Sequence, residues 1–381
     1  MKTNWRIIVI LAVVTGLFAS VIGTGCSPKA EEPIYIGMAN PMTGDNAWIG
    51  ETKVRGVELA VELANKNGGI DGREIKLLIE DDQGNPTQAV NVAKKLAGDQ
   101  KILAVIGHWN SSCALAAIET YTEAGLPLLS DAASTQLSNS SDFFFRTCAT
   151  DDQLARQMAQ FMFEKKGHKN VAVLYPNNDY GVGANASFSD EFKKLGGTVL
   201  AEEAYFEGAT SKDFTPQLTK VKGLNPDGIF LGGYYTEGAL IMQQSRTNLD
   251  LQVPFYGTDA INSQELVTLG GDSVEGVTFV GFFDATRDLP GVKEYVEAFK
   301  AKYDMEPDTF GSLAFDSANL VIEAIRQNGA TREGITKYLE EVEDFPGVCG
   351  PTTFLESGDV DRFVTLLTIK DGVIVTNDTQ F

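Results

Sequence analysis

The chain has 381 residues, of which 43% are hydrophobic and 22% are charged, a composition typical of folded globular proteins. Its 52 acidic and 31 basic residues give a formal net charge of −21, which argues against a nucleic-acid binder and against a polybasic contact with a membrane. Residues 26–381 are enough for two ordinary lobes, each with its own core.

Residues 1–25 have the order of features found in a secretory signal peptide. Lys2 and Arg6 precede an uncharged apolar run over residues 7–22, and small residues follow. That run is shorter than the roughly 20 residues of a membrane-spanning helix. Cys26 after the small residues resembles the lipobox of bacterial lipoproteins, which implies cleavage before Cys26, lipidation of its thiol and a polar linker over residues 26–32. An uncleaved anchor and an ordinary signal peptide are the alternatives.

From residue 34 onward, short β-rich runs alternate with helical patterns. The predicted strands are Ile34–Met38, Ile75–Ile79, Ile102–Gly107, Leu126–Leu129, Val171–Tyr175, Gly228–Leu231 and Pro254–Tyr256. The predicted helices include Thr52–Asn67, Thr87–Leu96, Asp151–Lys165 and Tyr235–Arg246. Several strands are apolar on successive residues, as parallel strands buried on both faces are. The alternation predicts an α/β fold with helices on both faces of the sheets.

Three polar stretches are candidates for segments that cross between two lobes. They are Arg146–Asp152, Phe279–Asp284 and Leu355–Asp361.

The residues that follow the strands are candidates for a ligand site, because open parallel sheets bind ligands beyond the carboxyl ends of their strands. Ser111 opens a helix whose free N–H groups favour a carboxylate. Ser134 offers a hydroxyl, Ala132 a carbonyl, and Asp259 a partner for an ammonium group, with Tyr180 or Tyr234 beside it. This mixture suits a small zwitterion, although Ser and Asp after a strand are often only helix caps.

The sequence favours a binding protein over an enzyme. His108 is expected to be structural and His168 to lie in a solvated turn, and we find no nucleophile elbow and no phosphate-binding lysine loop. No cofactor or metal is expected. Beyond Cys26, we expect Cys113, Cys148 and Cys349 to be mostly buried free thiols, with one disulfide left open.

Segments along residues 34–368 resemble the periplasmic binding proteins of branched-chain amino acid ABC transporters, the leucine/isoleucine/valine-binding family. The resemblance implies a type I periplasmic binding fold: two doubly wound parallel-sheet lobes joined by three crossover strands, which close on a ligand like a Venus flytrap. It places the N-terminal lobe at residues 33–150 plus 283–355 and the C-terminal lobe at residues 151–282 plus 356–381. The resemblance rests on 67–72 (Asn-Gly-Gly-Ile-Asp-Gly), 81–82 (Asp-Asp), 106–108 (Ile-Gly-His), 125–127 (Gly-Leu-Pro), 145–147 (Phe-Arg-Thr), 179–181 (Asp-Tyr-Gly) and 232–234 (Gly-Gly-Tyr).

The same resemblance implies a role for each member of a candidate site. Ser111 and Ser134 would hold the ligand carboxylate, and Ala132 and Asp259 its ammonium group. Family pocket tyrosines match Tyr180 and Tyr234, another is replaced near Trp48 and Ile49, and Trp109 and Phe310 would border the side-chain pocket.

The function implied is capture of a branched-chain or related hydrophobic amino acid between the lobes and its delivery to an ABC-transporter permease. The protein would act as a monomer in the periplasm or at the cell surface, held in the membrane by a lipid on Cys26. The alternatives are a binder of an aromatic acid, amide or urea-like compound, and a ligand-sensing receptor domain. The identity of the ligand and of the membrane stays open.

Overall fold

The computed structural model describes residues 32–208 and 212–381, so the predicted leader and Cys26 lie outside the described residues. One sheet of the described region has five strands in the order β2-β1-β3-β4-β5. All its pairings are parallel, with Met38 beside Ile79 on one side and Ile106 on the other. Its strands are β1 (Ile34–Asn40), β2 (Ile75–Asp81), β3 (Ile102–Gly107), β4 (Leu128–Ser130) and β5 (Phe144–Arg146).

The other strands of the described region form a second sheet and a separate short hairpin. The second sheet contains β6 (Asn170–Pro176), β7 (Thr198–Tyr205), β8 (Gly228–Leu231), β9 (Phe255–Gly257), β10 (Thr278–Gly281), β13 (Thr365–Lys370) and β14 (Val373–Thr376). Its order is β14-β13-β10-β9-β8-β6-β7, and the hairpin consists of β11 (Phe345–Gly347) and β12 (Gly350–Thr352). This sheet is parallel except at one edge, where β13 runs antiparallel to both β10 and β14.

Helices follow most of the strands. They are α1 (Ala47–Lys66), α2 (Pro86–Gly98), α3 (Ser111–Glu123), α4 (Asp151–Gln160), α5 (Asp179–Lys194), α6 (Thr215–Leu224), α7 (Tyr235–Gln243), α8 (Gln264–Gly270), α9 (Val292–Tyr303), α10 (Thr309–Asn328) and α11 (Arg332–Glu341). The predicted helix at Thr52–Asn67 begins earlier, at Ala47, while single π turns extend α4 to Lys165 and α7 to Asn248. Across residues 32–208 and 212–381, no helix combines the length and apolarity needed to cross a bilayer.

The chain returns to the first sheet after it has built most of the second. Helix α10 packs along α1, and α11 packs on β3, so residues 309–341 complete the layer of helices beside the five-stranded sheet. Residues 365–376 then return to the second sheet as β13 and β14. We call the two sheets with their helices the first lobe and the second lobe. The residue limits given above for the lobes stay a prediction.

Two buried arginines join two of the three predicted crossing segments. Arg146, at the end of β5, donates to Asp359 Oδ1 at 2.7 Å and to the Ser134 carbonyl at 2.9 Å. Arg362 donates to the Thr147 carbonyl at 3.0 Å and to Thr352 Oγ1 at 2.8 Å. Because a buried guanidinium needs its donors satisfied, these bonds fix residues 146–147 against residues 352–362.

Candidate functional site

The ends of five parallel strands meet around one small cavity between the lobes. The segments after β3 and β4 face it from the first lobe, and those after β6, β8 and β9 face it from the second. These are the strand ends at which the sequence predicts a ligand site. The cavity has a volume of about 10 Å³ and is lined by Trp109, Ser111, Asp131, Ala133, Tyr180, Tyr234, Asp259 and Ala260.

The first lobe presents an uncapped helix end to the cavity. Helix α3 begins at Ser111, and the side chain of its N-cap residue, Asn110, makes no capping hydrogen bond. Ser111 Oγ accepts a hydrogen bond from the Ser134 N–H at 3.1 Å. An uncapped helix N-terminus with a hydroxyl beside it suits a carboxylate.

Ser134 is buried but does not line the cavity. Its Oγ accepts from the Gln136 N–H at 3.3 Å, at the start of a short 3₁₀ helix, which is the capping role that the sequence left open as the alternative. Ser134 therefore supports Ser111 through its backbone N–H in this structure.

The second lobe presents a carboxylate with one unpartnered oxygen. Asp259 begins a short 3₁₀ turn after β9, is 3% exposed, and its Oδ1 has no hydrogen-bond partner in the described region. Burial, together with the nearby negative charge of Asp131, raises the pKa of Asp259 to about 7. A buried, unpaired carboxylate is unfavourable unless a cation compensates it, so Asp259 is well suited to receive an ammonium group.

Asp131 lines the cavity although the sequence analysis did not select it as a site residue. Its Oδ1 forms a buried ion pair with Lys53 Nζ from α1, while its Oδ2 has no partner among the described residues. The available signal was an acid directly after a buried strand, followed by the selected Ala132.

Ala132 is buried next to the cavity, and Ala133 takes the lining position instead. The carbonyl of Ala132 accepts a hydrogen bond from Arg146 Nη1. The oxygen that the resemblance assigns to an ammonium group is therefore already in contact with a guanidinium.

Aromatic rings form the apolar wall of the site. The rings of Tyr180 and Tyr234 stack at 5.4 Å between centroids, and Trp109 lies 5.1 Å from Tyr234 and 5.7 Å from Phe310. The Tyr180 hydroxyl is hydrogen-bonded to Thr258 Oγ1, and the Tyr234 hydroxyl accepts from Asn178 Nδ2 at 3.2 Å. The Tyr180 hydroxyl is thus engaged by Thr258, whereas the Tyr234 hydroxyl keeps its own O–H as a donor.

The remaining predicted pocket residues lie behind or beside the cavity. Phe310 is buried edge-on behind Trp109. Ile49 is fully buried, and the half-buried Trp48 packs edge-on against Tyr235 at 6.1 Å. Neither Trp48 nor Ile49 is among the residues that line the cavity.

Polar contacts join the lobes near the cavity. Glu207 of the second lobe accepts from Asn46 Nδ2 at 3.3 Å and Asn110 Nδ2 at 3.5 Å in the first lobe, and from Asn178 Nδ2 at 2.6 Å in its own. Burial raises the pKa of Glu207 to about 7. The hydroxyl of Tyr235 also donates to the Asp45 carbonyl at 2.9 Å. The lobes are therefore in direct contact around the site.

The histidines make structural contacts away from the cavity. His108 is fully buried, with Nδ1 2.5 Å from Asp82 Oδ2 and Nε2 3.0 Å from the Tyr121 hydroxyl. His168 Nε2 lies 2.9 Å from the Tyr256 hydroxyl. The described residues contain no group of three or more His, Cys, Asp or Glu that could hold a metal ion.

Cys113, Cys148 and Cys349 are free and buried, as the sequence analysis expected. Burial raises the pKa of each thiol.

Two α/β lobes whose strand ends surround a cavity between them are the arrangement of a binding protein for a small solute. The family model for periplasmic binding proteins matches residues 33–373, and the chain belongs to that family. It is 30% identical to Leu/Ile/Val-binding protein homolog 3 of Brucella melitensis over 349 residues, which cover 90% of this chain and 92% of that protein.

Two solved structures share the fold. The leucine-binding protein LivK of Thermotoga maritima is 29% identical with a TM-score of 0.84, covering 90% of this chain and 97% of that one. LivJ of Streptococcus pneumoniae, a branched-chain amino acid transporter substrate-binding protein in complex with isoleucine, is 30% identical with a TM-score of 0.84, covering 91% and 100%. The predicted type I periplasmic binding fold is confirmed.

The chain is therefore an extracytoplasmic binding protein of the branched-chain amino acid transporter type. Proteins of this kind are not enzymes, which confirms the prediction of a binding function.

Proposed function

We propose that this protein binds an α-amino acid with a hydrophobic side chain and delivers it to the permease of an ABC transporter. The observation that carries the proposal is the unpartnered Oδ1 of Asp259, which lies at the same cavity as Ser111 and the uncapped start of α3. A zwitterion supplies both missing partners: its ammonium compensates Asp259, and its carboxylate accepts from the helix end. The stacked rings of Tyr180 and Tyr234 suit an apolar side chain.

The two carboxylates at the cavity argue against the alternative of an aromatic acid as ligand. A ligand with a carboxylate and no cation would add a negative charge to a site that already contains Asp131 and Asp259, with Lys53 as the counterion of only one of them. Like charges repel strongly in a buried site. Amides and urea-like compounds avoid that repulsion but leave Asp259 without a cation.

Ligand capture is coupled to closure of the lobes. A ligand in the cavity touches residues of both lobes only when they are together, so binding shifts the equilibrium from open to closed. The closed form then docks on the permease. The site residues Ser111, Ala132, Ser134, Tyr180, Tyr234, Asp259, Trp48, Ile49, Trp109 and Phe310 and the lobe limits at residues 150, 282 and 355 are part of this proposal.

A thermal-shift screen tests the ligand class, because a ligand that binds the native state raises its stability by mass action. The panel is L-leucine, L-isoleucine, L-valine, L-phenylalanine, benzoate, phenylacetamide and urea, with the α-hydroxy analogue of each amino acid as its matched control. We expect stabilisation by at least one amino acid and less by its hydroxy analogue. If benzoate, phenylacetamide or urea stabilises the protein and no amino acid does, the proposal is contradicted.

We further propose that the mature protein is a monomeric lipoprotein held in a membrane through Cys26. The support is the leader sequence and the advantage of keeping a ligand trap close to its permease. The variant Cys26→Ala should move the protein from the membrane fraction to the soluble fraction. An unchanged distribution would contradict the anchor, and size-exclusion chromatography of the residues after Cys26 tests the monomer.

A further inference from the structure

Asp131 and Asp259 line one cavity from opposite lobes, and each keeps a carboxylate oxygen without a hydrogen-bond partner in the described part of the chain. The free oxygens are Asp131 Oδ2 and Asp259 Oδ1, and each residue is only 3% exposed. Removing an anionic oxygen from water without a partner is strongly unfavourable. Two such oxygens at one cavity indicate a cationic group that belongs between them.

Lys53 accounts for only one of the two negative charges. Its Nζ pairs with Asp131 Oδ1, and the two side chains are 2% and 1% exposed. One cation against two carboxylates leaves one negative charge unbalanced, which is the charge that a single ammonium group would neutralise. Lys53 uses one oxygen of Asp131 and leaves the other, Oδ2, available to a ligand.

The neighbouring backbone is poorly suited to be the second acceptor. The Ala132 carbonyl already accepts from Arg146 Nη1, and a guanidinium beside that oxygen repels an incoming ammonium group. Asp131, one residue earlier, lines the cavity and carries a negative charge.

We propose that Asp131 is a second ligand-binding carboxylate, whose Oδ2 accepts a hydrogen bond from the same ligand ammonium group that donates to Asp259 Oδ1. Lys53 is a positioning residue, because its ion pair with Asp131 holds that carboxylate in place. This inference rests on the amino-acid binding proposed above and narrows the ligand to a primary ammonium compound, which has N–H donors for two acceptors.

The test is the double variant Lys53→Met, Asp131→Asn. It removes a whole ion pair, so no buried charge is left without its counterion, and Asp259 stays in place. Isothermal titration compares wild type and variant with the amino acid of the panel that wild type binds most tightly, and with its α-hydroxy analogue. The analogue keeps the carboxylate and side chain but lacks the ammonium group.

We expect the double variant to bind the amino acid about 10- to 100-fold more weakly and the hydroxy acid within about threefold of wild type. A loss confined to the amino acid shows that Asp131 acts on the ammonium group. Equal losses for both ligands, or no loss for either, would overturn the proposal and leave Asp131 as a counterion of Lys53. A variant that fails to fold is replaced by Lys53→Leu, Asp131→Asn, with the same two outcomes.

Asp151 provides a matched control. It is another buried aspartate with an unpartnered oxygen, and its negative charge also raises the pKa of Asp259, but it does not line the cavity. Its Oδ1 accepts from the N–H groups of Thr135 and Asp152 at 3.2 and 2.7 Å. Asp151→Asn should keep the preference for amino acid over hydroxy acid within about threefold. If Asp151→Asn loses as much of this preference as the double variant does, the loss reflects the removal of any buried charge near the site, and the assignment of Asp131 as a ligand contact is overturned.

The pH profile of affinity tests whether the two carboxylates at the cavity are electrostatically coupled. The charged and titratable groups around Asp259 are Asp131, Asp151, Lys53, Arg146, Cys148 and Tyr180. Because the pKa of Asp259 is raised to about 7, amino-acid affinity should fall as the pH drops through that value and the carboxylate becomes protonated. Removing the charge of Asp131 should shift this fall to lower pH, because that charge helps to raise the pKa of Asp259, and an unshifted profile would contradict the coupling of the two carboxylates.

The two proposals fail in distinguishable ways. If wild type binds no amino acid of the panel, the proposed function fails and the inference with it. If wild type binds an amino acid and the double variant binds it equally well, only the role of Asp131 is overturned.

Discussion

A Cβ atom built on Gly56 would lie 1.9 Å from the carbonyl oxygen of Gly311. These glycines face each other where α1 packs along α10, so the two helix backbones approach more closely there than any side chain allows. The contact joins the helix that carries Lys53 to the helix that carries Phe310, which supports the aromatic wall of the site.

Gly56→Ala should lower the free energy of unfolding by about 1–3 kcal/mol, because the backbone of α1 or α10 must move to make room. Urea denaturation measures the change. Gly223→Ala is the matched control, since Gly223 also lies in a helix but a Cβ there meets nothing within 4 Å. The control should be neutral or stabilising by up to about 1 kcal/mol. Equal effects of the two substitutions would contradict the close-packing explanation.

Asp259→Ala should weaken binding of the cognate amino acid by about 2–5 kcal/mol, because the ligand ammonium group loses a buried anionic partner. Calorimetric titration measures the loss, and the α-hydroxy analogue serves as the control because it has no ammonium group to lose. Unchanged affinity for the amino acid would refute the assignment of Asp259.

Tyr180→Phe should leave amino-acid affinity within about threefold of wild type, because the Tyr180 hydroxyl already bonds Thr258 and the ring does the packing. Tyr180→Ala removes the ring that stacks on Tyr234 and should weaken binding about tenfold or more. Titrations of both variants compare the two contributions. A large loss in Tyr180→Phe would mean that the hydroxyl contacts the ligand instead.

Acid should favour closure of the ligand-free protein. In the structure the pKa values of Asp259 and Glu207 are raised to about 7 by burial, and opening the lobes would return both carboxyls to water and to lower pKa values. The closed form then binds more protons than the open form between roughly pH 4 and 7. Lowering the pH from 8 to 5.5 should therefore reduce the radius of gyration measured by small-angle X-ray scattering.

The variant Asp259→Asn, Glu207→Gln removes both titrating groups and should abolish most of this pH dependence. A wild-type radius that is constant or rises on acidification would contradict the linkage. The radius of gyration measured at each pH with saturating amino acid gives the value for the closed form, against which the ligand-free protein is compared.

The strand ends around the cavity could be predicted because parallel strands buried on both faces are apolar on successive residues, as β3 is along its whole length. The last hairpin was missed although a signal was present. Asp371-Gly372 separates the two apolar runs of β13 and β14, and both residues have positive φ, at 53° and 72°, as tight hairpin turns require.

The site was harder to predict because its chemistry depends on partners far apart in the chain. Lys53 and Asp131 are 78 positions apart, and no local pattern indicates that this lysine is buried against that acid. The role of the Ala132 carbonyl could not be evaluated either, since only the fold shows that Arg146 occupies it. Ser111 and Asp259 were easier to find, because each directly follows a strand end where ligands bind.

The three buried thiols provide an intrinsic probe of opening. A thiolate is the reactive form of cysteine, and burial keeps Cys113, Cys148 and Cys349 protonated and out of contact with reagents. Cys148 Sγ also donates to the Asp131 carbonyl at 3.1 Å, beside the cavity. Its rate of alkylation would report local exposure of the site. The rate for Cys349, in the turn between β11 and β12, would report exposure of that turn. Neither measurement needs an added label.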